Sequence, residues 1–127
     1  MNILTREEII HMPAGREMDI LVGKNIMHLD LWYGDPTGFD IPENIDYWRT
    51  DIRDSDDELC LRCPHYSKNI ARAWEVVEKF TDVEIEKAGL NYGCLIGVEM
   101  VIAVAAPLAI CRAALLVTLD TNGLLVT

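Results

Sequence analysis

"CLIGVEMVIAVAAPLAICRAALLVTLD", residues 94–120, decides the fold. The stretch is almost continuously apolar and long enough in principle to span a bilayer. Glu99 and Arg112 stand inside it, however, and each ionised group at membrane depth costs about 2.5–3.5 kcal/mol. Pro107 and the small residues around it interrupt the run. The stretch therefore reads as a strand over 94–105, apolar on both faces and so covered or central, followed by a buried helix with Pro107 at its first position. No membrane span is expected. The helix ends near Thr121, where Asn122-Gly123 supplies a stop.

Arg112 is the conspicuous residue of that helix. Steps of 100° put Leu108, Cys111, Leu115 and Leu119 on one face, with Arg112 inside the stripe. The opposite face is Ala109, Ile110, Ala113 and Val117, so the helix has no polar side for a cation. Arg112 must snorkel or meet a carboxylate, a carbonyl or a ligand anion.

Outward from there, "TDVEIEK" alternates as a half-exposed strand with Val83 and Ile85 inward, and Gly89 to Gly93 turns the chain back. A helix follows "CPHYS", with Ser67 as N-cap and Ile70, Ala73, Trp74, Val77 and Phe80 on its apolar face. Thr5-Arg6-Glu7-Glu8 reads as a capping box opening a short helix that stops near Met12-Pro13. A second helix begins at Pro13 and runs to about Met27, with Met18, Leu21, Val22 and Ile26 as its stripe. His28 to Tyr33 alternates as a strand, and residues 34–38 turn. From Phe39 to Glu58 the chain is acidic and irregular, a long loop holding one short strand. Long helices need a sheet to cover, and an apolar strand needs cover on both faces. The class is α/β: a three-layer α/β/α sandwich with a mainly antiparallel sheet, one domain over residues 1–127.

The chain has 127 residues, half of them apolar, and a net charge of −10. That charge argues against DNA or RNA polymers, which need a basic footprint. It leaves room for a small anion in a locally positive pocket. The charged N-terminus carries no secretion signal, so the four cysteines are expected to be reduced and the protein cytoplasmic.

"CLRC", Cys60 to Cys63, with His65 two residues on, has zinc-knuckle spacing but lacks a second pair. No metal and no other cofactor is expected. There is no glycine-rich phosphate loop, no HExxH and no nucleophile loop, and the histidines are scattered. The chain does not read as an enzyme.

Three stretches, "MPAGREMDILVGKNIM", "PHYSKNIARAWEVVEKF" and "APLAICRAALL", together resemble the phage ABA sandwich domain family. The resemblance covers close to half the chain and implies an α/β/α sandwich. The last helix departs from the family pattern in lacking a Thr-bearing lead-in, and the strand pair before it is poorer in aromatics. The chain also looks like the Thoeris anti-defence sponge proteins. That likeness implies a non-enzymatic phage protein, a homo-dimer or higher homo-oligomer, that sequesters a cyclic ADP-ribose isomer or a cyclic oligonucleotide. It places Arg112 on the ligand. Tyr92 and Asn91, in the turn facing the start of that helix, are the candidates for stacking and base contacts, since a planar base wants an aromatic face and an amide edge. The alternative is a small acidic accessory protein whose loop 39–58 binds a host protein.

Overall fold

The computed structural model describes residues 4–33, 47–49 and 63–122, with backbone alone for 31–33, 47–49 and 122. Its elements run α1 (Arg6–His11), α2 (Arg16–Asn25), β1 (Leu31–Tyr33), β2 (Tyr47–Arg49), α3 (Ile70–Val77), β3 (Val83–Ala88), β4 (Asn91–Ile96), β5 (Glu99–Ala103) and α4 (Ala106–Asn122). The class is α/β, and β3-β4-β5 form an antiparallel sheet. β1 and β2 pair separately and in parallel. β2 is the short strand expected inside the acidic segment; the rest of that segment lies outside the described residues.

The apolar run divides where the hydropathy does not. Instead of one strand it makes two, β4 and β5, joined by Gly97-Val98. Ile96 pairs with Glu99 across that turn, as Ala88 pairs with Asn91 across Gly89-Leu90. Both glycines have positive φ, +65° at Gly89 and +61° at Gly97. A glycine first in a two-residue hairpin loop is the arrangement that follows the strand twist. The first turn is thus only Gly89-Leu90, and Asn91 and Tyr92 belong to β4 rather than to the turn.

α4 follows from its surroundings. β4 and β5 pack against it, and so do α1, α2 and α3. Ala109, Ile110, Cys111, Ala113, Ala114, Leu115 and Leu116 are all buried. A helix enclosed this way needs no polar face, and its alanines let neighbours approach. At 17 residues it is about 25 Å long, short of the bilayer core. Among the described residues no helix is long and apolar enough to cross a membrane.

Its first turn begins one residue before Pro107, and the Ala109 N–H donates to the Ala105 carbonyl (3.1 Å). Ala105 therefore occupies the N-cap with no side-chain acceptor. Ala105→Ser is expected to stabilise the protein by about 1 kcal/mol, read as a higher midpoint in urea unfolding with an unchanged slope.

The other helices adjust the reading of their ends. α1 carries the expected capping box: Thr5 Oγ1 accepts from the Glu8 N–H (3.3 Å) and Glu8 Oε1 from the Thr5 N–H (3.2 Å). α2 starts at Arg16, after Gly15, not at Pro13. It stops where His28 takes φ +56° and the Leu29 N–H folds back on the Gly23 carbonyl. α3 is capped by Asn69, whose side chain accepts from the Arg72 N–H, and not by Ser67. Its buried face is Ala73 and Val76, with Val77 and Phe80 partly covered; Ile70 and Trp74 are 53% and 51% exposed. On the sheet, Met100 and Ile102 alternate with the buried Glu99, Val101 and Ala103 and stand exposed on the face away from α4.

Candidate functional site

Strand alternation sends Tyr92 to the helix side of β4, in register with Lys87 of β3 and Ala103 of β5. There it lines a cavity of about 630 Å³, together with Ile70, Ile85, Glu86 and Lys87 and with residues 104–107 at the start of α4. Ligand pockets of roughly 300–1,000 Å³ with mostly apolar walls and a few polar groups are the usual small-molecule sites. The Lys87 ammonium lies 5.8 Å from the centre of the Tyr92 ring. Asn91 is exposed at the end of the strand and does not line this cavity.

Arg112 sits elsewhere. Its Nε (3.1 Å) and Nη2 (2.7 Å) both donate to the Met12 carbonyl, at the end of α1. Among the described residues no carboxylate pairs with it, and burial alone pushes its pKa down. Its partner is thus a backbone carbonyl, the middle option left open by the sequence. Arg112 lines a cavity of about 160 Å³ with Arg6, Ile10, Met100, Val101, Ile102 and Leu116. No residue is common to the two cavities, so the structure does not bring Arg112 and Tyr92 together in one pocket of one protomer.

Beside the smaller cavity, Arg6 pairs with the buried Glu99 at 2.7 Å. The Arg6 guanidinium holds the Glu99 carboxyl below its ordinary range, and the neighbouring Glu99 raises that of Asp120.

The zinc-like stretch has another use. Cys63 Sγ donates to the Asp19 carbonyl (3.4 Å), and His65 Nδ1 lies 3.0 Å from Arg16 Nη1. A guanidinium only donates, so Nδ1 is the acceptor in that contact. Cys60 lies outside the described residues, and among those residues no group of three or more His, Cys, Asp or Glu is placed to hold a metal. Burial lifts the Cys94 thiol to about 11 and pushes Cys111 higher still, so neither is a thiolate nucleophile at neutral pH.

The buried polar residues around Asp19 were not anticipated from the sequence. Asp19 Oδ1 accepts from the Ser67 N–H (2.8 Å) and hydroxyl (2.7 Å), and Oδ2 from Arg16 Nη1 (3.1 Å). Arg16 Nη2 reaches the Cys63 carbonyl (2.7 Å), and the Gly15 N–H donates to Ser67 Oγ (2.9 Å). This cluster fastens the start of α2 to the segment before α3 and is buried, which makes it a structural lock. Lys87, Glu86 and Ile70 were also missed as cavity residues. The available signal was that Ile70 and Trp74 are apolar at i and i+4 on a short helix whose packing face needs only Ala73 and Val76.

In comparisons with known proteins, the family model for the phage ABA sandwich domain matches residues 20–115, from within α2 to within α4. No curated protein and no solved structure matches the chain.

Proposed function

The chain belongs to the phage ABA sandwich domain family, and on that premise we propose that it is a phage-encoded, non-enzymatic binding protein. In this reading it sequesters a cyclic nucleotide immune signal, a cyclic ADP-ribose isomer or a cyclic oligonucleotide, in the cytoplasm of the infected bacterium and so counters defence. The observation that carries the proposal is the 630 Å³ cavity in which an aromatic ring, Tyr92, meets a cation, Lys87, among apolar walls. The uncapped first turn of α4 borders it, which adds a positive helix end.

Arg112 and Asn91 enter this reading as second contacts, made between subunits. Because Arg112 lines a different cavity from Tyr92, a small ligand that uses both is most simply held by two copies. A homo-dimer or higher homo-oligomer therefore belongs to the proposal, and a clean monomer in light scattering would remove Arg112 from the ligand. So does the three-layer sandwich, which requires a helical layer over the face where Met100 and Ile102 stand exposed.

The test is thermal unfolding against cyclic ADP-ribose isomers and cyclic di- and trinucleotides. A ligand at a hundredfold over its Kd adds about 2.7 kcal/mol, a shift of several degrees. The expected result is a shift with one class, with the ligand recovered intact, abolished by Tyr92→Ala and by Arg112→Gln. A flat panel overturns the proposal. The exposed Ile70 and Trp74 favour one second reading, an accessory protein that docks on a host protein; capture of one partner that is lost with Trp74→Ala, alongside a flat panel, would select it.

A further inference from the structure

Tyr92 and Lys87 are partners across the β3–β4 ladder, so their meeting is fixed by register. The ammonium lies within the range of a cation–aromatic contact, on the face of the ring that a planar ligand would need. Such a contact is weak at an exposed site, and Lys87 is exposed. A ligand ring can therefore displace it. The four-carbon lysine stem then lets the ammonium swing aside and still reach a group attached to that ring. The remaining walls, Ile70, Ile85, Val104 and Pro107, suit the apolar body of a ligand. Glu86, in register with Gly93, sends its side chain to the other face of the sheet, beside Met100, so it does not oppose an anion at the Tyr92 face.

We propose that this cavity selects aromatic anions, with Tyr92 as the stacking surface and Lys87 as the cation within the cavity that reads the ligand's negative group. This rests on the proposed function in using the same cavity, but it assigns ligand charge selection to a residue on β3. The 160 Å³ cavity lined by Arg112 is too small for a ring system and carries no aromatic side chain.

The experiment compares adenosine 5′-monophosphate with adenosine, the same ring with and without the anion. Binding is followed through the Tyr92 ring resonances at low ionic strength. In the wild type the monophosphate is expected to bind at least about threefold more tightly, the scale of one exposed charge contact. Lys87→Gln should abolish that preference while leaving adenosine affinity unchanged. Equal affinities in the wild type, or a preference that survives Lys87→Gln, would assign the lysine to hairpin packing alone and overturn the inference. Tyr92 resonances unmoved by the monophosphate would overturn it as well. The two proposals fail separately. A flat cyclic panel with a Lys87-dependent monophosphate preference ends the signal-sequestering reading alone, and a positive panel indifferent to Lys87 ends this one alone.

Discussion

Asp19→Ala is expected to destabilise the protein by about 3–5 kcal/mol, the cost of breaking a buried ion pair from one side. Asp19 has no exposed surface and Arg16 only 5%. The substitution removes the carboxylate that accepts the Ser67 N–H and hydroxyl and pairs with the guanidinium. What remains is a buried cation and a buried N–H without that acceptor, and each charged or polar group left unmatched costs more than its bond contributed. For a domain with roughly 5–15 kcal/mol in hand, the loss is a large fraction of the whole. Equilibrium unfolding in urea measures it. A loss below about 1 kcal/mol would mean that water or neighbouring groups replace the carboxylate, and that the cluster is not the lock between α2 and the segment before α3. Asp19→Asn separates charge from shape: it keeps an acceptor for Ser67, so its cost should be smaller if the ion pair with Arg16 is only part of the stabilisation.

That cluster also marks where sequence reading stopped. Arg16 and Asp19 lie at i and i+3 in the first turn of α2, the ordinary place for a surface pair, and nothing local says that the turn is buried. The burial comes from Ser67, 48 residues away, which reads locally as a helix N-cap and is instead spent on α2. Long-range partners of this kind leave no periodicity in the chain. Local signals did better: the capping box at Thr5 needs only four residues, and α4 declares itself by length and by Pro107. The Gly97-Val98 turn was missed because its second residue is a valine, so hydropathy runs through it unbroken; only the glycine's backbone freedom marks the break.

The candidate site was half legible for the same reason. Tyr92 is a lone aromatic near the helix start and could be named, but its neighbour Lys87 depends on the β3–β4 register, which the misplaced turn had shifted. Arg112 could be named from the helical wheel. Its acceptor, the Met12 carbonyl 100 positions earlier, could not. A backbone carbonyl as partner also changes what substitution means there. Arg112→Gln removes a charged donor from a partly buried carbonyl and so carries some structural cost, and binding data for that variant have to be read at a temperature where it is folded.

Leu115→Ala is the complementary expectation, a loss of about 2–5 kcal/mol from the middle of α4. The two largest effects thus arise from opposite chemistry. Leu115 is fully buried and sits in a helix touched by β4, β5, α1, α2 and α3, so the space left by its side chain is walled on every side. Collapse into that space would require the sheet or a helix to shift, and the alanines at 109, 113 and 114 have already brought the walls close. The cost should therefore fall in the upper part of the range. Leu119→Ala supplies the internal comparison, since Leu119 is only partly buried on the same helix and should lose clearly less. Equal losses at the two positions would mean that α4 is covered to its last turn, and the enclosed helix would then be a property of its whole length and not of its middle.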